Sequence, residues 1–119
     1  MKAKNPSLAD MVKACDLQVV AGKNHLSHRI EGGYVSDMLS DVMANCRKGD
    51  IWITLQTHPN IIAVAVLKEI SAVILINNRR PEPETVKKAE AEHIPILISN
   101  LTAFEIAARL SELGISGKR

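Results

Sequence analysis

The residues able to do chemistry fall into three short polar runs. The first is Gln56-Thr57-His58-Pro59-Asn60, the second Asn77-Asn78-Arg79-Arg80, and the third holds Ser99, Asn100 and Thr102. His58 and Asn60 offer directional hydrogen bonds. Arg79 and Arg80 offer guanidinium groups, whose planar fork of donors suits a phosphate or a carboxylate. Each run stands just before a predicted helix, where the first main-chain amides have no partner within the helix and favour anions. Thr57 is placed to cap the helix at Pro59. The candidate ligand-binding set is therefore Thr57, His58, Asn60, Asn77, Asn78, Arg79, Arg80, Ser99 and Thr102. The same residue types also build caps and turns, so the runs indicate where a ligand would sit and not which one.

No catalytic motif accompanies them. The phosphate-binding pattern GxxxxGK[ST] does not occur, nor do GxSxG and HExxH. No nucleophile stands beside a base, which leaves His58 alone as an acid/base candidate. His25 and His28 are spaced HxxH, but zinc needs three or four ligands and no third is near, so no metal is expected. Cys15 and Cys46 are isolated thiols. Two cysteines cannot hold an iron–sulfur cluster that takes four, and no cofactor is expected.

These runs need elements to position them. Ser7 and Asp10 open a helix over 7–14, with Leu8, Met11 and Val12 on one face. Residues 17–21 (LQVVA) read as a strand ended by Gly22. Residues 28–35, with Gly32-Gly33, read as a short strand or irregular connector. Ser36-Asp37 cap a helix over 38–46, and the 47–50 turn leads into a strand over 51–55. Pro59 lies in the first turn of a helix reaching 69. Residues 72–76 (AVILI) form a continuous apolar run, as in a central parallel strand. A helix over 82–92 follows, with Glu84 and Lys88 spaced to pair. Residues 94–99 are the last strand. Thr102 and Glu105 form a capping box for the final helix, which ends near Gly114. Strand–polar loop–helix units in tandem predict an α/β domain with a mainly parallel sheet and its polar loops at one edge, where open α/β sheets bind ligands.

The chain has 119 residues, 46% of them hydrophobic and 24% charged. That length predicts a single domain over 1–119, large enough for its own core. A net charge of +2 provides no strong field for nucleic acid or membrane. One Trp, one Tyr and one Phe leave no set of rings on which to stack bases. The basic N-terminus lacks the apolar stretch of a signal peptide, and no apolar run approaches the ~20 residues that span a bilayer. The expectation is a cytoplasmic protein that binds neither nucleic acid nor membrane. Residues 61–67 are apolar all the way round. A helix of that kind is covered on more than one side, and a second copy of the chain would cover the remaining side.

The order of features over 35–113 resembles the DRTGG domain family, over about two-thirds of the chain. It includes Ser36-Asp37, Gly49-Asp50 before a strand, the apolar helix, Arg80-Pro81, Ile94-Pro95-Ile96-Leu97 and Thr102-Ala103-Phe104-Glu105. Such domains occur alone, fused to CBS modules in some pyrophosphatases, and in a form related to the non-catalytic N-terminal domain of HPr kinase/phosphorylase. The resemblance implies a three-layer α/β fold that often dimerises. The family's naming residues differ here: His58-Pro59-Asn60 stands in place of Asp-Arg, and Ile76-Asn77-Asn78 in place of Thr-Gly-Gly. The loop and helix sequence is similar to a stand-alone subgroup, some members of which are labelled hydrogenase-associated. The resulting expectation is a non-enzymatic regulatory domain, dimeric, that senses a small anionic ligand. The alternatives are an accessory subunit of a redox or metabolic complex, and a small enzyme using His58.

Overall fold

The computed structural model describes residues 5–117. Lys2, Lys4 and Lys118, part of the basic charge read from the sequence, lie outside them. The chain runs α1 (Leu8–Ala14), β1 (Gln18–Ala21), β2 (Gly32–Val35), α2 (Leu39–Asn45), β3 (Asp50–Thr54), α3 (Asn60–Leu67), β4 (Ala72–Leu75), α4 (Pro83–Glu92), β5 (Ile96–Ile98) and α5 (Ala103–Glu112). Every element expected from the sequence forms, and the ambiguous 28–35 stretch supplies β2 from its second half.

The five strands make one sheet in the order β1-β5-β4-β3-β2. β2 through β5 are parallel, and β1 joins the edge antiparallel to β5. The central strands carry apolar side chains on both faces, because both faces are covered. Ile51, Ile53, Ala72, Ile74 and Leu97 point into one core with Leu8 and Met11 of α1 and Ile106 and Leu110 of α5. Trp52, Val73, Leu75 and Ile96 point into the other with Val42, Ile61, Ile62, Ala65 and Ala89 from α2, α3 and α4. The layers are thus α2/α3/α4, sheet, and α1/α5. The cause is handedness. The β2→β3→β4→β5 crossovers all step the same way, so right-handed connections put all three of their helices on one face.

Local chemistry sets the boundaries. Ser7 Oγ accepts from the Asp10 amide at 3.1 Å and the Asp10 carboxylate accepts from the Ser7 amide at 3.0 Å, a complete capping box. That bond from the Ser7 amide, then the one from its hydroxyl, holds the Asp10 carboxyl below its ordinary range. Gly49 takes φ +83°, and a Cβ there would meet Glu31 Cγ at 2.5 Å, so only glycine fits this turn. His93 ends α4 in the left-handed conformation. Glu84 and Lys88 do not pair. A surface ion pair joins Lys48 and Glu69 at 3.8 Å. No helix of the described residues is long and apolar enough to cross a membrane.

Candidate functional site

The C-terminal ends of the parallel strands lie at one edge of the sheet. There β4 leads to α4 on one face and β5 leads to α5 on the other. Adjacent parallel strands whose connections part to opposite faces leave a crevice between them, the usual ligand position of an open α/β sheet. In this chain that position falls at the 77–80 and 99–102 loops.

The main chain joins these two loops. Asn77 and Asn78 both adopt left-handed conformations, φ 55° and 56°, which asparagine tolerates better than most residues. Their amides turn toward the neighbouring loop: Asn77 N–H donates to Leu101 O at 2.9 Å and Asn78 N–H to Ser99 O at 2.7 Å. Arg79 N–H donates to Ile76 O at 3.1 Å. The expectation of free amides beside the arginines is thereby corrected for Asn77, Asn78 and Arg79. Glu82 and Glu84 also stand at the start of α4.

Arg79 and Arg80 are both exposed. Arg80 makes one long contact, 3.5 Å, to Gln18 Oε1 on β1. Neither has a carboxylate within salt-bridge distance among the described residues. Ser99 is buried and its Oγ accepts from the Leu101 amide at 3.0 Å. Thr102 caps α5, accepting from the Glu105 amide at 3.3 Å.

Thr57, His58 and Asn60 lie differently from expectation. Thr57 does not cap α3 with its side chain. Its carbonyl instead accepts from Thr85 Oγ1 at 2.7 Å and from Glu82 N–H at 3.2 Å, tying the 56–60 loop to the start of α4. His58 serves the helix start: its Nδ1 accepts from the Asn60 amide at 3.0 Å, which places the proton of a neutral ring on Nε2. His58 and Asn60 line a groove of about 670 Å³ between α3 and α4, with Ala63 and Leu67 on one wall and Lys88 and Glu92 on the other. Of the nine candidates, Asn77, Asn78, Arg79, Arg80, Ser99 and Thr102 follow β4 and β5, His58 and Asn60 line the outer groove, and Thr57 lies against the start of α4.

Asp37 is a residue that sequence reasoning misassigned. It was expected to cap α2, but its carboxylate accepts from Thr54 Oγ1 at 2.9 Å and from Leu55 N–H at 2.7 Å. Its carbonyl accepts from Gln56 Nε2 at 2.8 Å. Ser36 does supply a local bond, accepting from the Met38 amide at 3.2 Å. Nothing in the local sequence marks Asp37, because its partners lie 17 and 18 residues away. Nearby, Tyr34 Oη donates to Asp41 at 2.8 Å and Asn45 Nδ2 donates to it at 2.8 Å. Bonds from Ser36, then Asn45 and Tyr34, hold the Asp41 carboxyl below its ordinary range, and the bond to Asp41 raises the Tyr34 hydroxyl.

The thiols are unsuited to catalysis. Burial first, then the neighbouring Asp50 carboxylate, pushes Cys46 up to about 12, and burial raises Cys15. Both stay protonated at neutral pH, and the thiolate is the reactive form. His25 stacks on His93 with ring centroids 4.4 Å apart, not on His28. No group of three or more metal-ligating side chains occurs among the described residues.

The sheet order, the two helical layers and the loop edge define a three-layer α/β domain with a mainly parallel sheet. The model of the DRTGG domain matches residues 10–113, and the chain belongs to the DRTGG domain family. A similar solved structure contains the CBS and DRTGG domains of the regulatory region of Clostridium perfringens pyrophosphatase, complexed with its activator diadenosine tetraphosphate. The TM-score is 0.69 at 15% identity, covering 90% of this chain and 46% of that one. At that identity the likeness is one of fold, and this chain spans under half of that chain's length. No curated protein matches this sequence.

Proposed function

We propose that this chain is a non-enzymatic regulatory domain that senses a small anionic ligand at the β4/β5 crevice and works as a homodimer. One observation carries the reading: two adjacent arginines, exposed and without a carboxylate partner among the described residues, stand where the connections of neighbouring strands part. Guanidinium groups without a carboxylate partner recognise phosphate or carboxylate in a bidentate manner. The similar pyrophosphatase region is regulatory and is complexed with the activator diadenosine tetraphosphate, which supports the ligand class. His58 is exposed, its Nδ1 is engaged by Asn60, and no nucleophile or carboxylate bonds to it among the described residues. Acid/base catalysis by His58 therefore has little support.

The test is a thermal-shift titration with nucleotides, sugar phosphates and organic acids. A ligand at a hundred times its Kd adds about 2.7 kcal/mol to stability. Saturable stabilisation by an anionic metabolite, lost in R79A/R80A with the unliganded Tm unchanged, is the expected result. Unchanged affinity in that variant would remove the arginines from the site.

A second reading makes the chain an accessory subunit of a redox or metabolic complex. The observation in its favour is the apolar outer side of α3, where Val66 is 39% and Leu67 69% exposed. A different protein would then cover that side, and the chain alone would be monomeric.

A further inference from the structure

We infer that the outer face of α3 and α4 is a two-fold interface between two copies of this chain. Leu67 of each copy lies against the other's α3–α4 groove, and Lys88 faces Glu92 of the partner subunit. The inference rests on the homodimer reading above and says which surface makes the dimer.

The helix itself supplies the first argument. α3 reads NIIAVAVL, with no charged residue. Ile61, Ile62, Val64 and Ala65 face the core, while Ala63, Val66 and Leu67 face outward. An ordinary surface helix turns a polar side to water, and α3 has none beyond Asn60. The α3–α4 groove of about 670 Å³ adjoins this ridge, and Ile62, Ala63 and Val66 line it. Ridge and groove on one surface are what an isologous contact requires.

Charge selects the occupant. Lys88 and Glu92 lie on the α4 wall of the groove, one helical turn apart and opposite in sign. Neither has a salt-bridge partner in its own copy among the described residues. A two-fold axis crossing α4 between them sets the two α4 helices antiparallel. Each Lys88 then meets Glu92 of the partner subunit, giving two equivalent ion pairs. This pattern is self-complementary, which an unrelated partner does not need. The same axis carries Leu67, at the far end of α3, toward the end of the partner's groove formed by His58 and Asn60. The interface would thus abut the 56–60 loop, which Thr57 ties to the start of α4.

Sedimentation equilibrium of the full chain tests this. The wild type is expected to dimerise. Leu67→Asp should weaken association about tenfold or more, as loss of a central apolar anchor does. Lys88→Glu should also weaken it, and Lys88→Glu with Glu92→Lys should restore it, because a two-fold interface preserves a full charge swap. All three side chains are exposed, so circular dichroism and Tm should match the wild type. A dimer indifferent to Leu67→Asp and to both charge variants overturns this interface and leaves the homodimer reading standing. A wild type monomeric throughout overturns both. Ligand stabilisation through Arg79 and Arg80 is read separately and decides neither.

Discussion

Asp37 holds the ends of β2 and β3 together with one carboxylate. Its oxygen accepts from the hydroxyl of Thr54, a buried residue, and from the Leu55 amide just past the strand. Removing a shared acceptor leaves a buried donor unsatisfied, which costs about 1–3 kcal/mol. Asp37→Ala should lower stability by about that much in urea denaturation, whereas Asp37→Asn, which keeps an acceptor oxygen, should recover most of the loss. Equal loss in both variants would mean that the negative charge is what matters. Asp37 looked like a helix cap because Ser36-Asp37 precedes an apolar helix. Local pattern cannot distinguish a carboxylate that bonds forward along its own helix from one that bonds across to another strand.

At the scale of elements, the 56–60 loop is fixed by α4 rather than by α3. The buried Thr85 donates to Thr57 O at 2.7 Å, and the Glu82 amide donates to the same carbonyl. Thr85→Val keeps the shape of the side chain and removes one of these two donors. The expected cost is about 1 kcal/mol, with amide chemical-shift changes concentrated at 57–60. Shifts confined to α4 would show that the loop does not depend on this bond. The two roles of α3 were only half visible in sequence. An all-round apolar helix implies covering on more than one side, and the structure identifies the uncovered side as the one carrying Val66 and Leu67.

Across the whole molecule, the antiparallel edge strand locks the layers together. After β1 the chain turns at Gly22, with φ +71°, where a Cβ would lie 2.6 Å from Pro95 Cα. Glu90 of α4 accepts from the Gly22 amide. The clash is with backbone, so side-chain rotation cannot relieve it. Gly22→Ala should therefore destabilise by more than the ~1 kcal/mol of an unfavourable backbone conformation alone, read as a lowered urea midpoint. Wild-type stability would mean that the β1–β5 edge shifts freely. The sequence showed Gly22 only as the end of a strand, since the partner that crowds it is 73 positions away in the sequence.

Apolar periodicity, capping residues and turn glycines determined the order of elements and the mainly parallel sheet, because each depends on neighbours within a few residues. They also determined that the polar runs end strands and precede helices. The tertiary structure alone decided which runs lie side by side. Uniform right-handed crossovers put α2, α3 and α4 on one face and leave α5 on the other, so the connections part between β4 and β5. His58 and Asn60 lie instead against α4, at the outer groove. Whether an amide near an arginine remains free depends on which carbonyl lies opposite, and that is set by the packing of strands distant in sequence.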